Sequence, residues 1–192
     1  MWLLSGPNGA GKSTYAPNLS SDVEEIVRPD ELAYGLSPSA PEKAAVKSAR
    51  LAIIRIKSLL QEHRSFAVET TLSGRFHLEM AMRARATGWK VGIIYIGLRS
   101  PKLAIERVLL RHFMGGHNVP VADVRRRYSR SLKNLADIYR TANRVLVLDN
   151  SSARRPMKRV LEANEGRIVF RSRSLPKWLR ERLDPILKEQ RR

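Results

Sequence analysis

At 192 residues and 43% hydrophobic content, the chain can bury the core of one α/β domain without cross-links. It has no cysteine, which excludes a disulfide scaffold and thiolate metal sites, and no apolar run of roughly 18 residues to span a membrane. Thirty-six Lys and Arg against 18 Asp and Glu leave a formal charge of +18, which would draw nucleotides, nucleic acid or anionic lipid alike. The excess is general: residues 151–192 carry 13 basic against 5 acidic side chains, and the rest of the chain is basic too. The absence of cysteine fits a reducing, cytoplasmic setting.

Met1 to Ser5 reads as a short first strand, with the expectation that no signal peptide or leader domain precedes it. Gly6-Pro7-Asn8-Gly9-Ala10-Gly11-Lys12-Ser13 follows, a complete G-x-x-x-x-G-K-S phosphate loop, and a helix is expected from Lys12 to about Leu19. Glu25 to Arg28 is a strand ending at Pro29-Asp30. From Glu42 to about Glu62, Ala45, Ala49, Ala52, Ile53, Ile56 and Leu60 recur at helical spacing and read as a buried face. Phe66 to Glu69 is a strand, followed by Thr70-Thr71-Leu72-Ser73-Gly74 and a helix to about Thr87 that Gly88 ends.

Lys90 to Ile96 is the next strand, and Ser100-Pro101 supplies an N-cap and first turn for a helix to about Phe113. Gly115-Gly116-His117-Asn118-Val119-Pro120 breaks the pattern before a second helix, Val121 to Arg140. Val145 to Asp149 is nearly all apolar, as a strand covered on both faces should be. A short helix, a strand over Arg167–Phe170 and a helix over Pro176–Lys188 complete a basic C-terminal extension from about residue 152. The strand–helix alternation predicts one α/β domain over residues 1–192.

The phosphate loop turns backbone N–H groups toward anionic oxygens. Gly6 through Thr14 are therefore the expected nucleotide-binding residues, with Lys12 reaching the β- and γ-phosphates and Ser13 ligating Mg²⁺. Ligands of open parallel sheets gather beyond the carboxyl ends of the strands, where Asp30, Glu69 and Asp149 fall. A kinase needs a carboxylate to orient or deprotonate the acceptor hydroxyl. Asp30, on the loop after the second strand, is the candidate, set against a plain turn residue after Pro29. Glu69, followed by Thr70 and Thr71, suits acceptor hydroxyls or a Mg²⁺-bound water. Asp149 is either a Walker-B-like acid or an Asx-type cap before Ser151.

Arg107 and Arg111 share one helical face, and beyond the Gly-Gly break come Arg125, Arg126, Arg127, Arg130 and Lys133. Two helices carrying arginines across a hinge, residues 107–133, suit a closing lid whose guanidinium groups grip the transferring phosphoryl. A solvated amphipathic helix is the alternative. His117 reads as conformational or acceptor-contacting.

Taken in order, Gly6–Thr14, Arg28-Pro29-Asp30-Glu31, Phe66–Gly74, Ile94–Leu98, Gly115–Pro120, Arg126-Arg127-Tyr128 with Arg130-Ser131-Leu132, and Leu148–Ser151 resemble the zeta-toxin family of P-loop kinases, particularly its short bacterial members. The resemblance runs from Leu4 to about Ser151. It implies a three-layer fold like that of the nucleoside-monophosphate and shikimate kinases, with a parallel sheet of about five strands and a helical lid. It also implies ATP- or GTP-dependent phosphorylation of a UDP-activated amino sugar such as UDP-N-acetylglucosamine. Carried over, Asp30 matches the family's catalytic base and Glu69 its sugar-binding acid; Arg107 or Arg111 with Arg127, then Arg126 and Arg130, match its phosphate-binding arginines. A separate antitoxin protein is the implied partner. The chain is shorter than the plasmid-borne toxins, which leaves another metabolite or an antibiotic hydroxyl as acceptor. The +18 charge keeps a second class open, a nucleic-acid-associated ATPase or polynucleotide kinase, although 6% aromatic residues offer few stacking platforms.

Overall fold

Short apolar runs alternating with helical stretches build a parallel sheet whose strands end on one side of the molecule. The structure, a computed structural model, describes residues 1–38, 40–116 and 118–189. In chain order the elements are β1 (Trp2–Ser5), α1 (Lys12–Tyr15), β2 (Glu25–Val27), α2 (Pro29–Leu36), α3 (Ala45–Gln61), β3 (Phe66–Thr70), α4 (Phe76–Ala86), β4 (Gly92–Gly97), α5 (Pro101–Phe113), α6 (Val121–Thr141), β5 (Arg144–Asp149), β6 (Lys158–Asn164), β7 (Arg167–Arg171) and α7 (Lys177–Glu189). Pro17 turns the end of the first helix into a 3₁₀ segment, Ala16–Leu19.

The sheet runs β2-β3-β1-β4-β5-β6-β7. The first five strands are parallel, as expected, and β6 and β7 extend them antiparallel. β1 lies centrally between β3 and β4, and the chain passes from it first to one side of the sheet and later to the other. The crevice at such a reversal opens beyond the carboxyl end of β1, where the phosphate loop begins. Its register aligns Ser5 with Thr70 on one side and Tyr95 on the other. One hydrophobic cluster runs from Met1 through the sheet to Leu187.

Three expectations need correction. Asp30 is not on a loop: Pro29 is the first residue of α2, and Asp30 and Glu31 occupy its first turn, where the helix dipole favours carboxylates. The buried face of α3 is Ser48, Ala52, Ile56 and Leu59, whereas Ala45 and Ala49 are exposed. The expected short helix after Asp149 is the strand β6. The strand and final helix expected in the C-terminal segment form, with β6 and β7 continuing the sheet and α7 burying Trp178, Leu179, Leu183, Ile186 and Leu187.

The Ser100 cap forms as expected, its side chain accepting from Leu103 N at 3.2 Å. α6 is held along most of its length by Val124, Tyr128, Leu132, Leu135 and Ile138. Buried hydrogen bonds join it to the β4 region, from Tyr128 Oη to Leu98 O at 2.7 Å and between Tyr95 Oη and Ser131 Oγ at 3.0 Å. Trp178 packs so closely on β4 that a Cβ at Gly97 would lie 2.1 Å from its ring. Gly97→Val should therefore cost about 1–3 kcal/mol, read as a lower urea midpoint with an unchanged slope. A midpoint equal to wild type would show that α7 does not depend on this contact.

Candidate functional site

The phosphate loop begins where β1 ends and wraps over its own lysine. Gly6 has φ of 141°, and a Cβ there would lie 2.1 Å from Ile96 O, so only glycine fits the turn out of the sheet. Lys12 is buried, with Nζ donating to Pro7 O at 3.2 Å. Asn150, just past β5, ties the loop down: Nδ2 donates to Ala10 O at 2.9 Å, and Oδ1 accepts from Met157 N at 3.3 Å.

Burial lowers the pKa of Lys12, and the carboxylates of Glu69 and Asp30 oppose that shift, while Arg111 and Arg127 reinforce it. Four of the charges expected at the site thus converge on one ammonium. Lys12, Ser13, Asp30, Glu69, Thr70, Thr71 and Arg127 line a common cavity of about 250 Å³, with Arg28 and His77. Ser13 Oγ lies 3.1 Å from each carboxylate oxygen of Glu69. A hydroxyl and a carboxylate on the strand beside β1 form a hard-oxygen pair that fits a Mg²⁺ delivered with phosphates and water. Among the described residues no group of three His, Asp or Glu gathers to hold an ion by itself.

The other arginines divide. Arg107 stands beside Gly9, desolvated and in the field of Arg99 and Asp149, outside the cavity's lining. Arg111 acts on Lys12 from α5, and Gly116 N donates to its carbonyl at 2.9 Å. From α6 only Arg127 reaches the lining; Arg126 pairs with Asp123 at 2.9 Å, and both Arg126 and Arg130 are exposed. His117 lies outside the described residues. Asp149 takes the Asx arrangement, accepting from Ser151 N at 3.2 Å and from Trp178 Nε1 at 3.3 Å. Thr71 Oγ1 lies 2.9 Å from Ser73 Oγ.

No family model matches the chain. A protein of Haemophilus influenzae, strain Rd, described only as uncharacterized, is 30% identical over 123 residues, 64% of this chain and 88% of that protein. The chain belongs to its family. Among solved structures, a chain of the AvrRxo1-ORF1:-ORF2 complex with ATP superposes with a TM-score of 0.69 at 18% identity, covering 87% of this chain and 59% of its own. The chain thus spans well under two thirds of that protein's length. A chain from the PezAT chromosomal toxin-antitoxin system of Streptococcus pneumoniae superposes at 0.61 with 14% identity, over 100% of this chain and 84% of its own. The fold is that of the zeta-toxin-like P-loop kinases.

Arg28, Pro29, Glu31, Ala49 and His77 also line the cavity and were not among the site residues expected from sequence. His77 Nδ1 lies 3.1 Å from Thr70 Oγ1, which also accepts from Leu72 N at 3.0 Å. The Thr70 hydroxyl and Nδ1 share one proton in this contact, with the donor set by the ring's tautomer. Burial lowers the His77 pKa from 6.5 to about 4, so at neutral pH the ring is uncharged and too weak a base for the acceptor's proton. The unfolded chain protonates this ring near pH 6.5. Between pH 6.5 and 4 it binds more protons than the folded chain, and stability falls as pH is lowered. The loss attributable to His77 is up to about 3 kcal/mol. The wild-type urea midpoint should thus drop more steeply from pH 7 to 4.5 than that of His77→Gln. Parallel drops would show that His77 is not held neutral.

Proposed function

We propose that this chain is an ATP- or GTP-dependent kinase that transfers the γ-phosphoryl group to a hydroxyl of a small acceptor. The observation that carries the reading is the convergence of Asp30 and Glu69 with buried Lys12, Ser13 and Arg127 on one cavity at the mouth of the phosphate loop. A bare nucleotide-binding module needs no second carboxylate facing the transferred phosphate, whereas a phosphotransferase does.

In this reading the backbone of Gly6 to Thr14 holds the triphosphate, Lys12 draws charge from its β- and γ-oxygens, and Arg127 with Arg111 neutralises charge that develops during transfer. Ser13 and Glu69 would hold a Mg²⁺ ion, which would supply Lewis-acid polarisation of the phosphate oxygens. Asp30 accepts the proton of the acceptor hydroxyl as its oxygen bonds to the γ-phosphorus and the bond to the diphosphate leaving group breaks. Thr70, Thr71 and His77 orient the acceptor, and Arg107 serves the flank of the loop nearer β5. Arg126 and Arg130 would join only if the lid, residues 107–133, moves inward over the cavity, and His117 of the same segment would then contact the acceptor.

The family resemblance supports a UDP-activated amino sugar as acceptor, a separate antitoxin as partner and a cytoplasmic site of action for one kinase domain over residues 1–192. No described helix is long and apolar enough to cross a membrane. The nucleic-acid reading draws on the +18 charge. The cavity lining, however, sets Lys12, Arg28 and Arg127 against Asp30, Glu31 and Glu69, a balance and not a basic track for a polyanion.

Incubation with ATP or GTP, Mg²⁺ and panels of UDP-sugars, free sugars and oligonucleotides should give one acceptor a mass gain of a single phosphoryl group. Labelling of the oligonucleotide alone would replace this reading with the nucleic-acid one. Asp30→Asn should lower turnover at least about 100-fold while nucleotide binding persists. Lys12→Ala should weaken both binding and transfer. Undiminished turnover in Asp30→Asn would remove Asp30 from the base role.

A further inference from the structure

Arg28 is the cavity's unassigned cation. It ends the β2 segment in an extended conformation and stands just before Pro29, which opens α2. Glu31 takes its Nη1 at 2.6 Å, but that carboxylate is 65% exposed, and an exposed i,i+3 pair constrains little. Nε is buried and has no hydrogen-bond partner. An unmet donor on a charged group is costly, and such groups are normally satisfied by protein, water or a ligand.

Geometry gives this donor a particular use. The Nε–Nη2 edge of a guanidinium takes two oxygens of a carboxylate or phosphate side by side, and pairing Glu31 at Nη1 leaves that edge without a protein acceptor among the described residues. The position also separates Arg28 from the donor half of the site. The charges acting most strongly on Lys12 are Glu69, Asp30, Arg111 and Arg127, whereas Arg28 stands at the β2 side of the cavity and also borders an outer hollow with Ile26, Leu32 and Ile54. Asp30 lies two residues on, at the start of α2. A second cavity of about 200 Å³ shares Pro29, Asp30 and Ala49 with the first, so the space beyond Asp30 continues away from the phosphate loop along α2 and α3.

We infer that Arg28 anchors an oxyanionic group of the acceptor, so that the compound phosphorylated is an acid bearing a hydroxyl. Its carboxylate, phosphate or diphosphate rests on Arg28 while the hydroxyl meets Asp30. This rests on the kinase reading above and narrows its substrate class. Arg28 is then a specificity-determining residue, apart from the atoms that carry out transfer.

The test offers matched acceptors with ATP and Mg²⁺: neutral sugars and polyols, hydroxy acids, sugar monophosphates and nucleoside-diphosphate sugars. Phosphoryl gain should be confined to the anionic members, and the arm that reacts tells carboxylate from phosphate from diphosphate. In Arg28→Gln the KM of the reacting acceptor should rise at least tenfold while the KM for ATP moves less than about threefold, and Arg28→Lys should recover part of the loss. Efficient phosphorylation of a neutral compound would overturn the inference and leave the kinase reading intact. So would an equal rise in the KM for ATP, which would put Arg28 on the donor side.

A second measurement needs no acceptor. With the phosphate loop filled by a non-hydrolysable ATP analogue, calorimetric titration with sulfate should show a site in wild type that is at least tenfold weaker in Arg28→Gln. Equal sulfate binding would overturn the inference. A wild-type chain that fails to bind the ATP analogue would instead bring down the kinase reading and this inference together.

Discussion

A buried ammonium governs the architecture of the site. Lys12 sits at the carboxyl edge of the sheet with its Nζ against Pro7 O, and burial keeps most solvent from stabilising its charge. Two carboxylates must therefore stand close by, and they come from different strand ends: Glu69 from β3 and Asp30 from the helix that follows β2. The arginines Arg111 and Arg127 press in the opposite direction. The result is a cluster of opposed charges around one buried ammonium, which the proposed kinase function would use to receive a triphosphate.

The scaffold around this cluster is rigid where position matters. Asn150 spans the phosphate loop and the segment leading to β6, so the C-terminal part of the chain holds the loop in place. Trp178 reaches from α7 to the wall of β4 and donates to Asp149. The basic C-terminal segment thus braces the nucleotide half of the site, and its arginines need no ligand of their own to account for its presence.

Much of this was legible in the chain. The phosphate loop, the Ser100-Pro101 cap and the long periodicity of α6 each satisfy several local rules at once, and each stands where expected. Pro29-Asp30-Glu31 misled because proline followed by acids opens turns and helices equally well; the dipole of α2 is the signal that favours a helix. The α3 alanines misled in another way. Small apolar residues at helical spacing suggest a core, but Ala49 lines both inner cavities and Ala45 the second, where a lack of bulk leaves space. β6 was hidden because Lys158-Arg159 and Val160-Leu161 fall in pairs, so its sequence carries no clean alternation of charged and apolar residues. His77 and Arg28 could not be found from spacing, because only the folding of β2, β3 and α4 against one another brings lone residues of that kind to a common wall.

Leu72 holds a left-handed backbone, φ 53°, although it is a fully buried leucine. It is kept there by Thr70 Oγ1 on its amide and by Asn134 of α6, whose Nδ2 donates to Leu72 O at 2.9 Å and Gly74 O at 3.3 Å. The helix that carries Arg127 is therefore fastened to the turn that carries Thr70 and Thr71. A displacement of α6 would strain a turn already held against its backbone preference, so the proposed phosphate-binding Arg127 and the proposed acceptor-side Thr70 and Thr71 are joined through Leu72. A change in acceptor preference reached through either part must also be tolerated by the other.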